Sequence, residues 1–110
     1  MRTIRLPAAY LESMSVVLRV LAHAFRLRIV ERLDVGGPAP GHRLLAELGG
    51  GQAALSQHLG KLRAVGVIRS QRRGREVWYA LANPNALTIL NCMRKHGSAA
   101  RRRGPREEAR

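Results

Sequence analysis

Apolar residues recur along this chain at two periods, and the change from one to the other divides it. From Pro7 to Ala22, Leu11, Met14, Leu18 and Leu21 fall at steps of three or four, which predicts a helix with one buried stripe. Pro7 suits the first turn, where its missing N–H has no intrahelical partner to lose. A second stripe follows in HAFRLRIVERL, with Phe25, Ile29 and Leu33 four apart and Arg28, Glu31 and Arg32 off it. Arg28 and Glu31 are spaced to pair at i,i+3. GGPAPG, residues 36–41, ends that helix and is expected to be a loop, because Pro38 and Pro40 block helical continuation.

A short helix is predicted next in HRLLAELGG, with Leu44, Leu45 and Leu48 inward, until Gly49, Gly50 and Gly51 stop it. The segment GQAALSQHLGKLRAVG then forms a longer helix whose Leu55, Leu59 and Leu62 define the buried face. From Val67 the period becomes two. VIRSQRRGREVWYAL reads as a β-hairpin around Arg73-Gly74, with Val77, Tyr79 and Leu81 alternating against Glu76, Trp78 and Ala80. Asn83-Pro84 opens a last helix carrying Leu87, Ile89, Leu90 and Met93, expected to end near His96.

Two helices joined by a small glycine turn form a helix-turn-helix, and a hairpin directly after it is a wing. The expected fold is mainly α with a small β-hairpin: a winged helix-turn-helix of order α-α-α-α-β-β-α spanning 1–96. Residues 97–110, rich in Gly, Ser, Ala and Arg without periodicity, are expected to be a disordered basic tail.

Composition narrows the partners. In 110 residues there are 20 Lys+Arg against 7 Asp+Glu, a formal net charge of +13 that favours a polyanion, nucleic acid or an anionic membrane surface. All but two of the basic residues are Arg, so a compositional bias toward Arg is an alternative source of the charge. The placement of the charges argues against it. Lys61, Arg63, Arg69, Arg72, Arg73 and Arg75 occur with no acidic residue between Gln52 and Arg75, whereas Glu12, Glu31, Asp34 and Glu47 all precede that segment. No run approaches the roughly 18–20 apolar residues of a membrane span, so no membrane partner is expected. Cys92 is the only cysteine, which excludes an intramolecular disulfide and favours the cytoplasm.

On the long helix, Gln52, Ala53, Ser56, Gln57 and Lys61 lie away from the leucines. Gln pairs bidentately with adenine, Ser reaches base edges or phosphate, and Ala touches a thymine methyl, so this face suits the major groove of double-stranded DNA. Arg72, Arg73 and Arg75 put three guanidinium groups at the wing tip, where they can straddle a backbone or enter a narrow minor groove. A charged edge hairpin that merely resists aggregation is the plainer explanation for those three.

Catalysis finds little support. Ser56 and His58 point about 200° apart on a helix and cannot act as nucleophile and base, and His58 beside Leu59 suits packing at the core edge as well as reading. No other pairing suggests acid–base work, so no catalytic residue is expected. Cys92 and His96 are spaced i,i+4, and two such helices meeting in a dimer would offer two sulfurs and two imidazoles. A lone apolar Cys is more often simply buried, and no metal or cofactor is expected.

The segments LRVLAHAFRLRIVERL (18–33), AALSQHLGKLRAVGVI (53–68) and RRGREVWYAL (72–81) resemble the ArsR/SmtB family of small bacterial repressors. The resemblance covers most of residues 15–82. It implies a homodimer that binds a palindromic operator, with first and last helices as the dimer interface. Leu11, Met14, Leu18, Leu87, Leu90 and Met93 are the candidates there. The family's recognition helix corresponds to Gln52 through Val65, with Ser56, Gln57 and His58 in the reading turn, and Arg73 and Arg75 match its wing.

Departures from the pattern are equally specific. His23-Ala24-Phe25 stands where the family has an Asp/Asn-Pro pair, Gly51 replaces a helix-capping Ser or Thr, and Gly60 interrupts the recognition helix. The metal sensors' Cys-x-Cys motif is absent from HRLLAELGG, and of their last-helix ligands only His96 is present. The inducer is therefore expected not to be a metal at those sites, leaving an unidentified small-molecule or redox inducer. Two other functions remain open: a metal or thiol sensor using Cys92 and His96, and a nonspecific nucleoid or RNA-binding protein.

Overall fold

The computed structural model describes residues 3–102, with side-chain surroundings as far as residue 97. Helix α1 (Ala8–Leu21) starts after Pro7, which occupies the N-cap with an extended backbone. Helix α2 (Ala24–Gly36) follows after two residues. His23 is its N-cap, with Nδ1 accepting a hydrogen bond of 3.3 Å from the Phe25 amide. An imidazole thus does here what an Asp or Asn side chain does at most helix starts.

GGPAPG is not wholly a loop. Ala39–Pro40 forms a two-residue strand, β1, which leads into helix α3 (Gly41–Leu48). Helix α4 (Gln52–Ala64), strands β2 (Ile68–Arg73) and β3 (Glu76–Leu81), and helix α5 (Pro84–Arg102) complete the chain. The sheet is antiparallel in the order β1-β3-β2, with Ala39 opposite Tyr79 and Pro40 opposite Trp78. Proline is tolerated because β1 is an edge strand. Helix α5 continues through Gly97 to Arg102, so the boundary expected at residue 96 is not a helix end. One glycine in a helix costs only about 1 kcal/mol, and the Ala and Arg residues beyond it favour helix. The rest of the expected tail lies outside the described residues.

The largest side chains almost wholly removed from solvent among the described residues are Ile29 and Val30 of α2, Pro40 of β1, Leu44 of α3, Leu62 of α4, and Val67 and Ile68 at the entry to the hairpin. Burial of each Val, Leu or Ile contributes roughly 1.5–3 kcal/mol, and together they fix helix-turn-helix and wing as one body. Among the described residues no polar or charged one is buried. Ion pairs sit at the margins, Arg32 with Glu47 joining α2 to α3, and Arg94 with Asp34 joining α5 to α2 at 2.8 Å. Arg28 lies 5.8 Å over the Phe25 ring, in place of the pairing with Glu31 that its spacing suggested.

The outer helices depart from the single stripe expected of α1. Val17 and Leu21 are buried, whereas Leu11 and Leu18 are 52% and 47% exposed. The helix is apolar on two adjacent faces, and the protomer covers only one. Asn85 contacts the Met14 sulfur at 3.8 Å, which sets the start of α5 beside α1. On α5, Met93 is exposed and Leu87 half-buried, but Leu90 is buried in the protomer's own core. Leu90 therefore leaves the list of interface candidates, because a side chain already packed has no surface to give a partner.

Candidate nucleic-acid interface

The turn between α3 and α4 is set by three consecutive glycines at positive φ, Gly49 at 74°, Gly50 at 86° and Gly51 at 89°. Only glycine adopts such a run without strain. A Cβ on Gly50 would also lie 3.2 Å from the Phe25 ring, so the turn is held against α2. It delivers α4 with Leu55, Leu59 and Leu62 buried and Gln52, Ala53, Ser56, Gln57 and Lys61 exposed. Five of the six side chains singled out on this helix therefore share the outward surface. The first turn of α4 has no side-chain cap, since Gly51 occupies the N-cap, and its amides stay open to an anion.

His58 is the exception. Its ring is half-buried against α2, 4.6 Å from the His23 ring and 5.2 Å from Phe25, and Nδ1 accepts a 3.1 Å hydrogen bond from Arg26 Nε. Arg26 also donates to the Val20 carbonyl at 3.0 Å, so one guanidinium ties α1, α2 and α4 together. Burial, then the neighbouring His23, Arg26 and Lys61, push the His58 pKa below its ordinary value of 6.5. A neutral imidazole that accepts from Arg26 orients the helix from behind. Its Nδ1 is engaged from the α2 side, which sets it apart from the five exposed side chains singled out on the helix.

Gly60 needs no close approach within the protomer. A Cβ there would meet nothing within 4 Å. By helical spacing Gly60 lies beside Ala53, Gln57 and Ala64, so the middle of the outward face carries three small residues around one amide.

The wing is an antiparallel hairpin, with Ser70 opposite Tyr79, Arg72 opposite Val77 and Arg73 opposite Glu76. Gly74, at φ 64°, makes the tight reversal. Arg72, Arg73 and Arg75 are all exposed, and Arg73 also stacks with its guanidinium carbon 4.4 Å from the Trp78 ring centroid. Arg63 at the end of α4 donates to Ser70 Oγ at 3.3 Å, linking helix to wing. Glu76 is engaged by His42 Nε2 at 2.5 Å. His42 carried no role in the sequence, because its partner is distant in the chain and only β1 brings α3 alongside β3.

Cys92 is exposed on α5, and His96 Nδ1 lies 3.0 Å from the Cys92 carbonyl oxygen. Among the described residues no three His, Cys, Asp or Glu side chains gather where a metal ion could be held, and no helix is long and apolar enough to cross a membrane.

No family model matches the chain. Individual proteins do. It is 36% identical over 77 residues to the HTH-type transcriptional regulator Rv0081 of Mycobacterium tuberculosis, covering 70% of this chain and 68% of that protein. The Rv0081 crystal structure superposes with a TM-score of 0.69 over 87% of this chain and 94% of that one, at 32% identity. The transcriptional repressor PagR of Bacillus anthracis is 31% identical over 76% of this chain and 83% of its own. Its crystal structure gives a TM-score of 0.73 at 30% identity, over 79% of this chain and 99% of that one. The HTH-type transcriptional repressor SmtB of M. tuberculosis is 39% identical over 84 residues, 76% of this chain and 62% of that protein. All three are transcriptional regulators by name. With α4 held outward by a glycine turn and a hairpin wing beside it, the chain belongs to the ArsR/SmtB family of helix-turn-helix transcriptional regulators.

Proposed function

We propose that the protein is a homodimeric repressor that binds a palindromic operator in double-stranded DNA in the cytoplasm. The observation that carries this reading is the outward face of α4. There Gln52, Ala53, Ser56 and Gln57 sit opposite the buried leucines, with Lys61 at their edge and the wing arginines beyond. A surface built only to hold nucleic acid needs charge alone. Amides and a hydroxyl that reach bases add discrimination.

In the mechanism, the two α4 helices enter successive major grooves about 34 Å apart. Gln57 contacts a base edge, Ser56 and Gln52 contact bases or the adjoining backbone, and Lys61 neutralises phosphate. Arg72, Arg73 and Arg75 grip the flank through the backbone or minor groove. His58 and Arg26 do not touch DNA and fix the angle of α4 from the core side. The dimer is supported by apolar surface the protomer leaves open on α1 and α5, at Leu11, Leu18 and Met93, with Met14 and Leu87 at its margin. Bound across a promoter, such a dimer excludes polymerase until an inducer lowers its affinity.

Selection of bound duplexes from a random-sequence pool tests the reading. The expected product is an inverted repeat with half-site centres about one helical turn apart. Recovery of sequences no more alike than the starting pool would contradict it and favour a nonspecific nucleic-acid-binding protein.

A further inference from the structure

Glu76 is the only acidic residue between Glu47 and Glu107, and the fold sets it among arginines. Arg75 precedes it in sequence. Arg73 is its direct cross-strand partner. Opposed residues on neighbouring antiparallel strands have Cβ atoms about 4.5–5.5 Å apart, close enough for a carboxylate and a guanidinium to pair. Paired in that way, Arg73 would be lost as a cation for phosphate.

Neither side chain makes that bond. The Glu76 carboxylate is 2.5 Å from His42 Nε2, at the start of α3. The Arg73 guanidinium lies over Trp78, its diagonal neighbour on the same face of the hairpin. A guanidinium stacked on an aromatic face keeps its N–H edge free for an anion and has already given up much of its rotamer freedom. One corner of the fold supplies both restraints, since Pro40 of β1 sits opposite Trp78 and His42 follows it by two residues.

We propose that His42 and Trp78 are positioning residues for DNA binding: His42 draws the wing's carboxylate away from Arg73, and Trp78 holds Arg73 ready for a backbone phosphate. The inference rests on the DNA-binding reading above. It adds two residues to the interface that touch no DNA themselves.

The test is a double-mutant cycle measured as binding to a mixed-sequence duplex of about 30 base pairs across a salt series, since phosphate contacts do not depend on sequence. The His42–Glu76 pair is solvent-exposed and adds little to stability, so the His42→Ala variant folds, which far-UV circular dichroism checks. Each phosphate contact contributes a salt slope of about 0.9, equivalent to about fivefold in affinity at 0.15 M salt. His42→Ala is expected to weaken binding about fivefold per protomer and to reduce the slope by about 0.9 per protomer. Adding Glu76→Gln to His42→Ala removes the competing carboxylate and restores affinity to that of Glu76→Gln alone. Trp78→Ala weakens binding in the wild-type background but not in Arg73→Ala, and Trp78→Phe, which keeps a ring face, recovers most of the loss.

A His42→Ala variant that binds like wild type, or one that loses the same factor with and without Glu76→Gln, overturns the role of His42. Equal losses from Trp78→Ala with and without Arg73 overturn the role of Trp78. Wild-type protein that does not bind the duplex contradicts the DNA-binding reading itself, so the two failures are distinguishable.

Discussion

Alanine at Gly60 and alanine at Gly51 are expected to shift stability in opposite directions, although the positions are nine residues apart on either side of one helical start. Gly60 is inside α4, is not among the positive-φ glycines, and a Cβ there has nothing within 4 Å. Gly60→Ala therefore adds helix propensity without a clash and stabilises by about 1 kcal/mol. For a domain of about this size that corresponds to a rise in Tm of roughly 4–8 °C. Gly51 combines φ 89° with ψ 149°, a region that essentially only glycine occupies. Gly51→Ala has open space around its methyl, yet the backbone conformation costs about 1–3 kcal/mol. Thermal unfolding followed by circular dichroism at one fixed protein concentration measures both, the concentration being held because association shifts Tm. A Tm for Gly60→Ala equal to or below wild type would refute the placement of α4, because it would mean that a neighbour or a strained backbone does require the glycine.

Three further outcomes follow from the same geometry. Leu18→Glu, at a side chain 47% exposed, is expected to leave the protomer folded and halve the mass measured by sedimentation; a persistent dimer would move the interface away from α1. Because the pKa of His58 is held below 6.5, the unfolded chain binds more protons than the native one between that lowered value and 6.5, so stability falls as pH drops through this window and is flat above it. His58→Asn keeps an acceptor for Arg26 without the titration, and urea midpoints between about pH 5 and 8 should then vary less than in wild type, whereas an unchanged pH profile would assign the dependence elsewhere. Gln57→Ala is expected to lose preference at particular base pairs, while Arg75→Ala weakens every duplex and lowers the salt slope by about 0.9 per protomer; identical behaviour of the two would dissolve the division between reader and grip.

Periodicity revealed the elements because most of them bury one face against one core. Leu55, Leu59 and Leu62 of α4 leave a single orientation that hides the apolar groups, whereas the alternation read through Val77, Tyr79 and Leu81 hides no one face, every residue of β3 being half-buried. Helix α1 was less legible since it carries two apolar faces, and spacing does not say which one a partner copy would cover. β1 escaped notice for a different reason: a two-residue edge strand exists only through its pairing with β3, and Pro38 and Pro40 give a loop signature. The site divided along the same line. Gln52, Ser56 and Gln57 followed from their place opposite the leucines, but the inward turn of His58 depends on Arg26, thirty-two residues away. The Arg73–Trp78 stack and the His42–Glu76 contact are likewise products of the assembled sheet. Polar contacts between distant residues leave no periodic trace.

Sequence discrimination by the outward face of α4 is the central claim, and one comparison addresses it directly. Affinity is measured for a palindrome from the protein's own promoter and for random duplex of equal length, at two salt concentrations. A reader of bases binds the palindrome about a thousandfold or more tightly than random duplex, and the ratio survives added salt because charge contributes to both. A ratio near one at both concentrations would contradict the account and leave only a cationic surface.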